Sequence, residues 1–202
     1  MRTLRTSITF IVIAILGILL TVMSIKDRQE LKKPPANIAT MTEDDFYNGR
    51  FVEGDIYEIW DRFSTVETNS KTTGYYFAMP LETSFETGIP KFVALSVRDS
   101  SDYAVASRMA KESLDYYNNY VELETVMHIR GKITTLKGDG AKYFDKYIAD
   151  NGFIPADAAV HYVINVGNDG EGAATALLIG IGITAVGVLG ALFSIIRGRA
   201  RG

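Results

Sequence analysis

Residues 180–191 read GIGITAVGVLGA, and two folds compete for them. Gly180, Gly182 and Ala185 stand at the G-x-G-x-x-A spacing of a dinucleotide-binding loop. That loop needs a strand before it, a helix after it and an acidic residue about 20 positions further on. The surroundings supply none of these. From Gly172 to Ile196 the chain runs GAATALLIGIGITAVGVLGALFSII, 25 residues without a charge, and no acidic residue follows. About 20 apolar residues in a helix cross the hydrocarbon core of a bilayer, where glycine is tolerated better than in soluble helices. The stretch is read as a membrane span over 172–196.

In that setting the small residues acquire another role. Ala176, Gly180, Gly187, Ala191 and Ser194 are spaced to fall along one helix face. A small face lets two membrane helices approach closely, which strengthens dispersion contacts where no hydrophobic drive exists. The plainer alternative is that Gly and Ala are simply common in membrane helices.

A second apolar stretch opens the chain. Twenty uncharged residues, 6–25, lie between Arg5 and Lys26. A secretory signal would have a shorter apolar region and a small-x-small cleavage site; the nearest approximation is VMS at Val22–Ser24. The stretch is read as a retained helix, with Ser7, Ala14, Gly17, Thr21 and Ser24 on one side, able to pair with the small face of the other span. Arg197, Arg199 and Arg201 form a basic tail over 197–202, while Asp169 and Glu171 precede the second span. Lys and Arg favour the cytoplasmic flank. Both termini are therefore expected inside and the middle outside.

Residues 25–172 hold 16 basic and 24 acidic residues, a formal charge of −8. An acidic domain repels nucleic acid and anionic lipid, so neither is expected as a partner. The absence of cysteine removes disulfides, thiolate metal sites and a cysteine nucleophile. With no N-x-S/T acceptor either, the composition leans bacterial.

The middle reads as a linker over 26–41, with Pro34 and Pro35, and a folded domain over 42–168. A short helix is expected from Thr42, whose capping partner would be Asp45. RFVEGDIYEIWDRF (50–63) reads as one long strand bent at Gly54. Further strands are expected at YYFAMPL, KFVALSV, TVMHIRGKITTL and AAVHYVINV. One helix is expected over RDSSDYAVASRMAKESLDYYNNYV (98–121), with Asp and Ser available as caps, and another from Asp139 as cap to Gly152 as stop. The order β-β-β-α-β-α-β points to an α+β domain, an OB-like five-stranded antiparallel barrel with two helices, flanked by the two spans.

NGRFVEGDI, YYFAMPL, MHIRGKITTL and KYFDKYIADNGF, set between two terminal spans, resemble a family of uncharacterised two-span membrane proteins of clostridia-type Gram-positive bacteria. The resemblance implies an extracytoplasmic domain of unknown function and carries over no catalytic residue.

No sharp chemical motif stands out. His128 and His161 are read as strand residues among apolar neighbours rather than a metal pair. Glu53, Asp55 and Glu58 offer carboxylates along one strand, the minimum for glycosidase-type acid/base work. DSSD (99–102) and NDGEG (168–172) lack a full calcium ladder and read as cap and linker. Trp60, Arg62, Tyr75 and Tyr76, with Phe77 beside them, form the candidate partner surface, although strand alternation sends half of them to a core. No cofactor and no enzymatic activity is expected. The leading expectation is a membrane-anchored binding or scaffold domain for a protein or envelope ligand. A carboxylate-dependent envelope hydrolase and an accessory subunit of a transport or secretion complex are the alternatives.

Overall fold

The structure, a computed structural model, describes residues 2–86, 88, 90–151, 157–170 and 172–199. The chain divides into two units, Met1–Lys33 with Gly170–Gly202, and Pro34–Asp169. The first holds helices α1 (Arg2–Glu30) and α5 (Ala173–Arg199). The second holds strands β1 (Ala36–Asn37), β2 (Phe51–Ile56), β3 (Asp61–Thr68), β4 (Lys71–Pro80), β5 (Phe92–Val97), β6 (Met127–Thr135) and β7 (Ala159–Val166). It also holds helices α2 (Glu82–Glu86), α3 (Ser100–Asn119) and α4 (Asp139–Asp150).

The seven strands form one mixed sheet in the order β1-β2-β6-β7-β5-β4-β3. The pairs β1–β2 and β5–β7 are parallel and the rest antiparallel. The α+β class therefore stands, but the five-stranded antiparallel OB barrel with two helices does not, since the domain has seven strands in one mixed sheet and three α-helices among the described residues. The overturning feature is the stretch 50–63, which is two strands and not one. Chain pairing breaks at Tyr57–Trp60, and β2 and β3 lie five strand positions apart. The imperfect alternation of aromatic and branched residues in that stretch is the trace of the break.

The same break shows how the sheet is shaped. Five strand spacings across a flat sheet are about 24 Å, whereas the five steps from Ile56 to Asp61 reach at most about 18 Å. The sheet must coil so that its two sides approach at this corner. Contacts there agree. Thr83 Oγ1 donates to the Met41 carbonyl at 2.6 Å, and Lys91 Nζ lies 3.3 Å from Glu43. Gly54 in β2 sits at φ +150°, a conformation that L side chains rarely adopt.

Each face of the sheet has its own core. Phe77, Met79, Val93, Leu95, Ile129 and Ile164 pack against Ala106 and Met109 of α3. Ala78, Phe92, Ala94 and Val163 pack against Phe144 and Ile148 of α4. The strand β5 is buried at every position, as expected of a central strand covered on both faces. The helix α3 starts at Asp99, whose side chain accepts from Ser101 N at 2.8 Å. The hairpin β3–β4 turns at Asn69 and Ser70, both with positive φ, the type I′ requirement. The strand β3 is an edge, blunted by two register shifts and by polar side chains.

Local expectations are corrected in three places. The stretch 26–41, read as a linker, contains the end of α1, β1 and a 3-10 turn at Ile38–Thr40, with Ile38 and Met41 buried. The helix expected after Thr42 is a single 3-10 turn, Glu43–Asp45, although the Thr42–Asp45 capping box is present. Asp139 is the first residue of α4 and Gly138 its cap; Gly152, expected as the stop, lies outside the described residues.

Candidate functional site

Trp60 occupies the corner where β3 begins. Its backbone N donates to the Ala78 carbonyl at 2.9 Å, tying it to the edge of the sheet. Its indole meets Phe92 edge-on at 4.7 Å and Tyr117 of α3 at 5.3 Å. The indole Nε1 donates to Glu58 Oε1 at 2.5 Å, and the Tyr117 hydroxyl bonds the same carboxylate. Glu58 therefore clamps two aromatic rings. Burial raises its pKa above the usual carboxylate value, a shift its two hydrogen bonds oppose and the nearby Glu82 charge adds to. The Tyr117 hydroxyl, tucked against Glu58 although its ring is half exposed, is pushed up to about 12 by desolvation and then by that carboxylate.

Around Trp60 an open groove of about 1040 Å³ runs between α3 and the start of β3 to the C-terminal end of α4. Arg62 lines it, donating from Nη1 to the Tyr103 hydroxyl at 3.1 Å with its guanidinium over the Tyr75 ring at 5.7 Å. Tyr75 and Tyr103 stack at 3.9 Å. Tyr147, at the far end, has its hydroxyl pushed up to about 12 by burial and then by Asp61.

Of the four expected partner-surface residues, Trp60 and Arg62 line the groove. Tyr75 stands behind them, supporting Arg62 and Tyr103. Tyr76 lies on the opposite face, stacked on Phe63 at 5.9 Å beside the second core. Alternation along β4 causes the split. Sequence reasoning did not find Tyr103, Tyr117 or Tyr147, because α3 and α4 reach the groove only through tertiary packing.

The remaining candidates scatter. Glu53 and Asp55 lie opposite Arg130 and His128 on the β2–β6 ladder, with Asp55 Oδ1 2.7 Å from His128 Nδ1. His161 Nε2 lies 2.6 Å from Asp145 Oδ1. Both histidines are thus strand residues with a ring nitrogen satisfied by a carboxylate, and both side chains are exposed. They do not meet, since the β6–β7 ladder runs between them. Glu58 lies past the end of β2 and lines a cleft of about 160 Å³ with Asp55 and Glu82. Burial raises the pKa of Glu82 as well. Asp99 acts as a helix cap. Among the described residues no cluster of three or more His, Asp or Glu is arranged for a metal.

The helix unit pairs α1 with α5 along the small residues. A Cβ on Gly187 would lie 2.5 Å from Ala14 N, one on Gly17 2.5 Å from Thr184 N, and one on Gly180 2.6 Å from Thr21 Oγ1. Ser7 Oγ donates to Ser194 Oγ at 3.0 Å. Ala176 and Ala191 flank this line half-buried. Nothing lies within 4 Å of a Cβ on Gly182, so the two glycines of the nucleotide-like spacing face different ways.

The chain belongs to the DUF8577 family, a domain of unknown function, whose signature matches residues 1–197. No protein with a curated description matches it.

Proposed function

We propose that this is a two-span membrane protein of the envelope of clostridia-type Gram-positive bacteria. Its sheet domain, outside the cytoplasm, is a non-enzymatic binding or scaffold module for a protein or envelope ligand. Two helices, Ser7–Glu30 and Ala173–Arg197, are long and apolar enough to cross a membrane. They bury Gly17, Gly180, Gly187 and Ser194 and turn Leu16, Leu19, Leu178, Leu189 and Phe193 outward. In water that surface would aggregate; against lipid it costs nothing. The observation that carries the binding reading is the groove built around clamped rings.

A reporter fused after Gly202 should be active in the cytoplasm. Protease added to wall-free cells should digest the sheet domain. Protection of residues 34–169 from outside protease would overturn the orientation. Capture in mild detergent tests the binding role, and recovery of a transport or secretion assembly would make the protein an accessory subunit. The raised carboxyls of Glu58 and Glu82 in one cleft favour a second reading, an envelope hydrolase. Hydrolysis of an envelope substrate that is lost in Glu58→Gln would establish it.

A further inference from the structure

Resting on the binding-module reading, we infer that the groove beside Trp60 is a carbohydrate site for a neutral oligosaccharide. Its volume, about 1040 Å³, is at the top of the range for small-molecule pockets, roughly 300–1000 Å³. Its walls offer what a sugar uses. Trp60, Tyr117 and Tyr147 line it with aromatic rings whose electron-rich faces attract the C–H face of a pyranose. Trp60 and Tyr117 are fixed before any ligand arrives, because Glu58 accepts from both polar ends. The entropy of ordering them is already spent.

The charges lining the groove balance. Arg62 and Lys111 stand against Asp61 and Asp150. Residues 25–172 as a whole carry −8. A polyanion gains nothing here and is repelled at long range. A neutral ligand rich in hydroxyls finds both donors and acceptors, since Asn118, Asn151 and Ser107 lie among the charged groups. Asn151 already gives its Nδ2 to the Tyr147 carbonyl at 2.8 Å, which leaves its side-chain oxygen as an acceptor.

Ser113 is the independent sign of a ligand. It lines the same groove, is 1% exposed, and its Oγ has no hydrogen-bond partner among the described residues. A serine inside a helix commonly bonds the carbonyl four residues back, and a buried hydroxyl without any partner is rare and costly. The Oγ is closed to solvent in this structure, so a ligand hydroxyl at the groove floor would meet it as the side chains covering it shift aside on binding.

The test uses the full chain in a detergent without a sugar headgroup. Trp60 is the single tryptophan, so its fluorescence reports on the groove. Chitotetraose, cellotetraose and maltotetraose are titrated. At least one should shift the emission saturably with Kd at or below about 1 mM, and raising salt to about 0.5 M should leave that Kd unchanged. Asn118→Ala and Ser113→Ala should each weaken binding about tenfold or more. Ser113→Ala should at the same time raise the Tm of the empty protein, because the orphaned hydroxyl is gone. That opposite pair of effects separates a ligand contact from simple damage. The inference is overturned if none of the three sugars shifts Trp60, if only heparin does so and salt abolishes it, or if Ser113→Ala binds as tightly as wild type. If the sugars fail and a captured protein shifts Trp60 instead, the carbohydrate inference falls and the binding module stands. If neither shifts it, both fall.

Discussion

The helix pair and the sheet domain bury opposite kinds of residue. Between α1 and α5 the enclosed positions are Ala14, Gly17, Ser24, Gly180, Gly187 and Ser194, while the large aliphatics face outward. In the sheet domain Phe77, Phe92, Phe144, Met79 and Leu95 are fully enclosed. On the membrane reading proposed above, the difference lies in the surrounding solvent. In water, enclosing a large apolar side chain removes area worth roughly 25 cal/mol per Å². In lipid that gain vanishes, and what remains is close backbone approach, for which the best side chain is the smallest. Three hydroxyls of the pair are satisfied along their own helices, Thr21 to the Gly17 carbonyl, Ser24 to Leu20 and Thr184 to Gly180, all at 2.8 Å, while Ser7 and Ser194 bond each other across the pair. Each can sit in an apolar setting without an unmet hydrogen bond.

The largest effect should come from the sheet domain. The fragment 34–169, a unit by itself, should unfold cooperatively in urea. In it Phe77→Ala should cost about 3–5 kcal/mol, because Phe77 is enclosed in the α3-side core. In the full chain, α1–α5 crosslinking should survive the same substitution. Loss of helix pairing on Phe77→Ala would mean that the two units are not separately stabilised.

Next in size is the reverse experiment. The double substitution Gly180→Leu, Gly187→Leu places bulk against the backbones of Thr21 and Ala14. It should weaken α1–α5 association by about 1–2 kcal/mol, read by crosslinking in detergent. Val188→Leu, on the exposed side, is the control and should change nothing. Unfolding of the sheet domain should not move. Wild-type association in the double variant would reduce the glycines to bystanders.

The contrast between the units also sets how legible each was. The apolar spans and their small faces follow from local composition and helical period, so Gly180, Gly187, Ala14 and Gly17 could be named from the sequence. The helix α3 follows from its acidic cap and apolar spacing, whereas α4 is legible although its cap is Gly138 and not Asp139. The sheet order could not be read, because pairing joins residues far apart in the chain. Nothing local says that Phe92 of β5 lies beside Ala159 of β7 while β2 pairs with β6. The four-residue break at Tyr57–Trp60 was hidden inside an aromatic run that satisfies strand preference by itself. The candidate site was half legible for the same reason. Trp60 and Arg62 stand out by residue type, but Tyr117 and Ser113 of α3 and Glu82 of α2 join the corner only through tertiary packing.

A smaller effect separates the buried charge of the sheet domain from its packing. Glu58 has a folded pKa raised above its ordinary value of 4.5 by burial. Its contribution to stability is therefore complete below about that pH and is lost as pH rises through the folded pKa. Glu58→Gln keeps an acceptor for the Trp60 indole without a charge to desolvate. The variant and wild type should unfold alike at about pH 4. Toward neutral pH the variant should become the more stable of the two, in urea melts followed by Trp60 emission. A variant less stable at every pH would show that the carboxylate's bonds to Trp60 and Tyr117 outweigh its desolvation.

The smallest effect belongs to the exposed pair on the β2–β6 ladder. His128 has its pKa raised above 6.5, chiefly by its hydrogen bond to Asp55, against a smaller desolvation, with Glu53 adding to the rise. A raised histidine pKa stabilises the fold fully below the unfolded value, and the gain disappears as pH climbs through the folded one. The window therefore opens near pH 6.5 and extends upward. Because the imidazole stands in solvent, salt should screen most of the effect. In an NMR titration the His128 ring should have its midpoint above 6.5 in the wild type, and Asp55→Asn should bring it back toward the ordinary value. An unchanged midpoint would mean that the pair does not persist in solution. The helix pair supplies the contrast: residues 6–25 and 172–196 contain no charged side chain and no histidine. Association of α1 with α5 should stay constant across the same pH range, and a pH-dependent crosslinking yield would break the division between a charge-bearing domain and a pair held by small, uncharged residues.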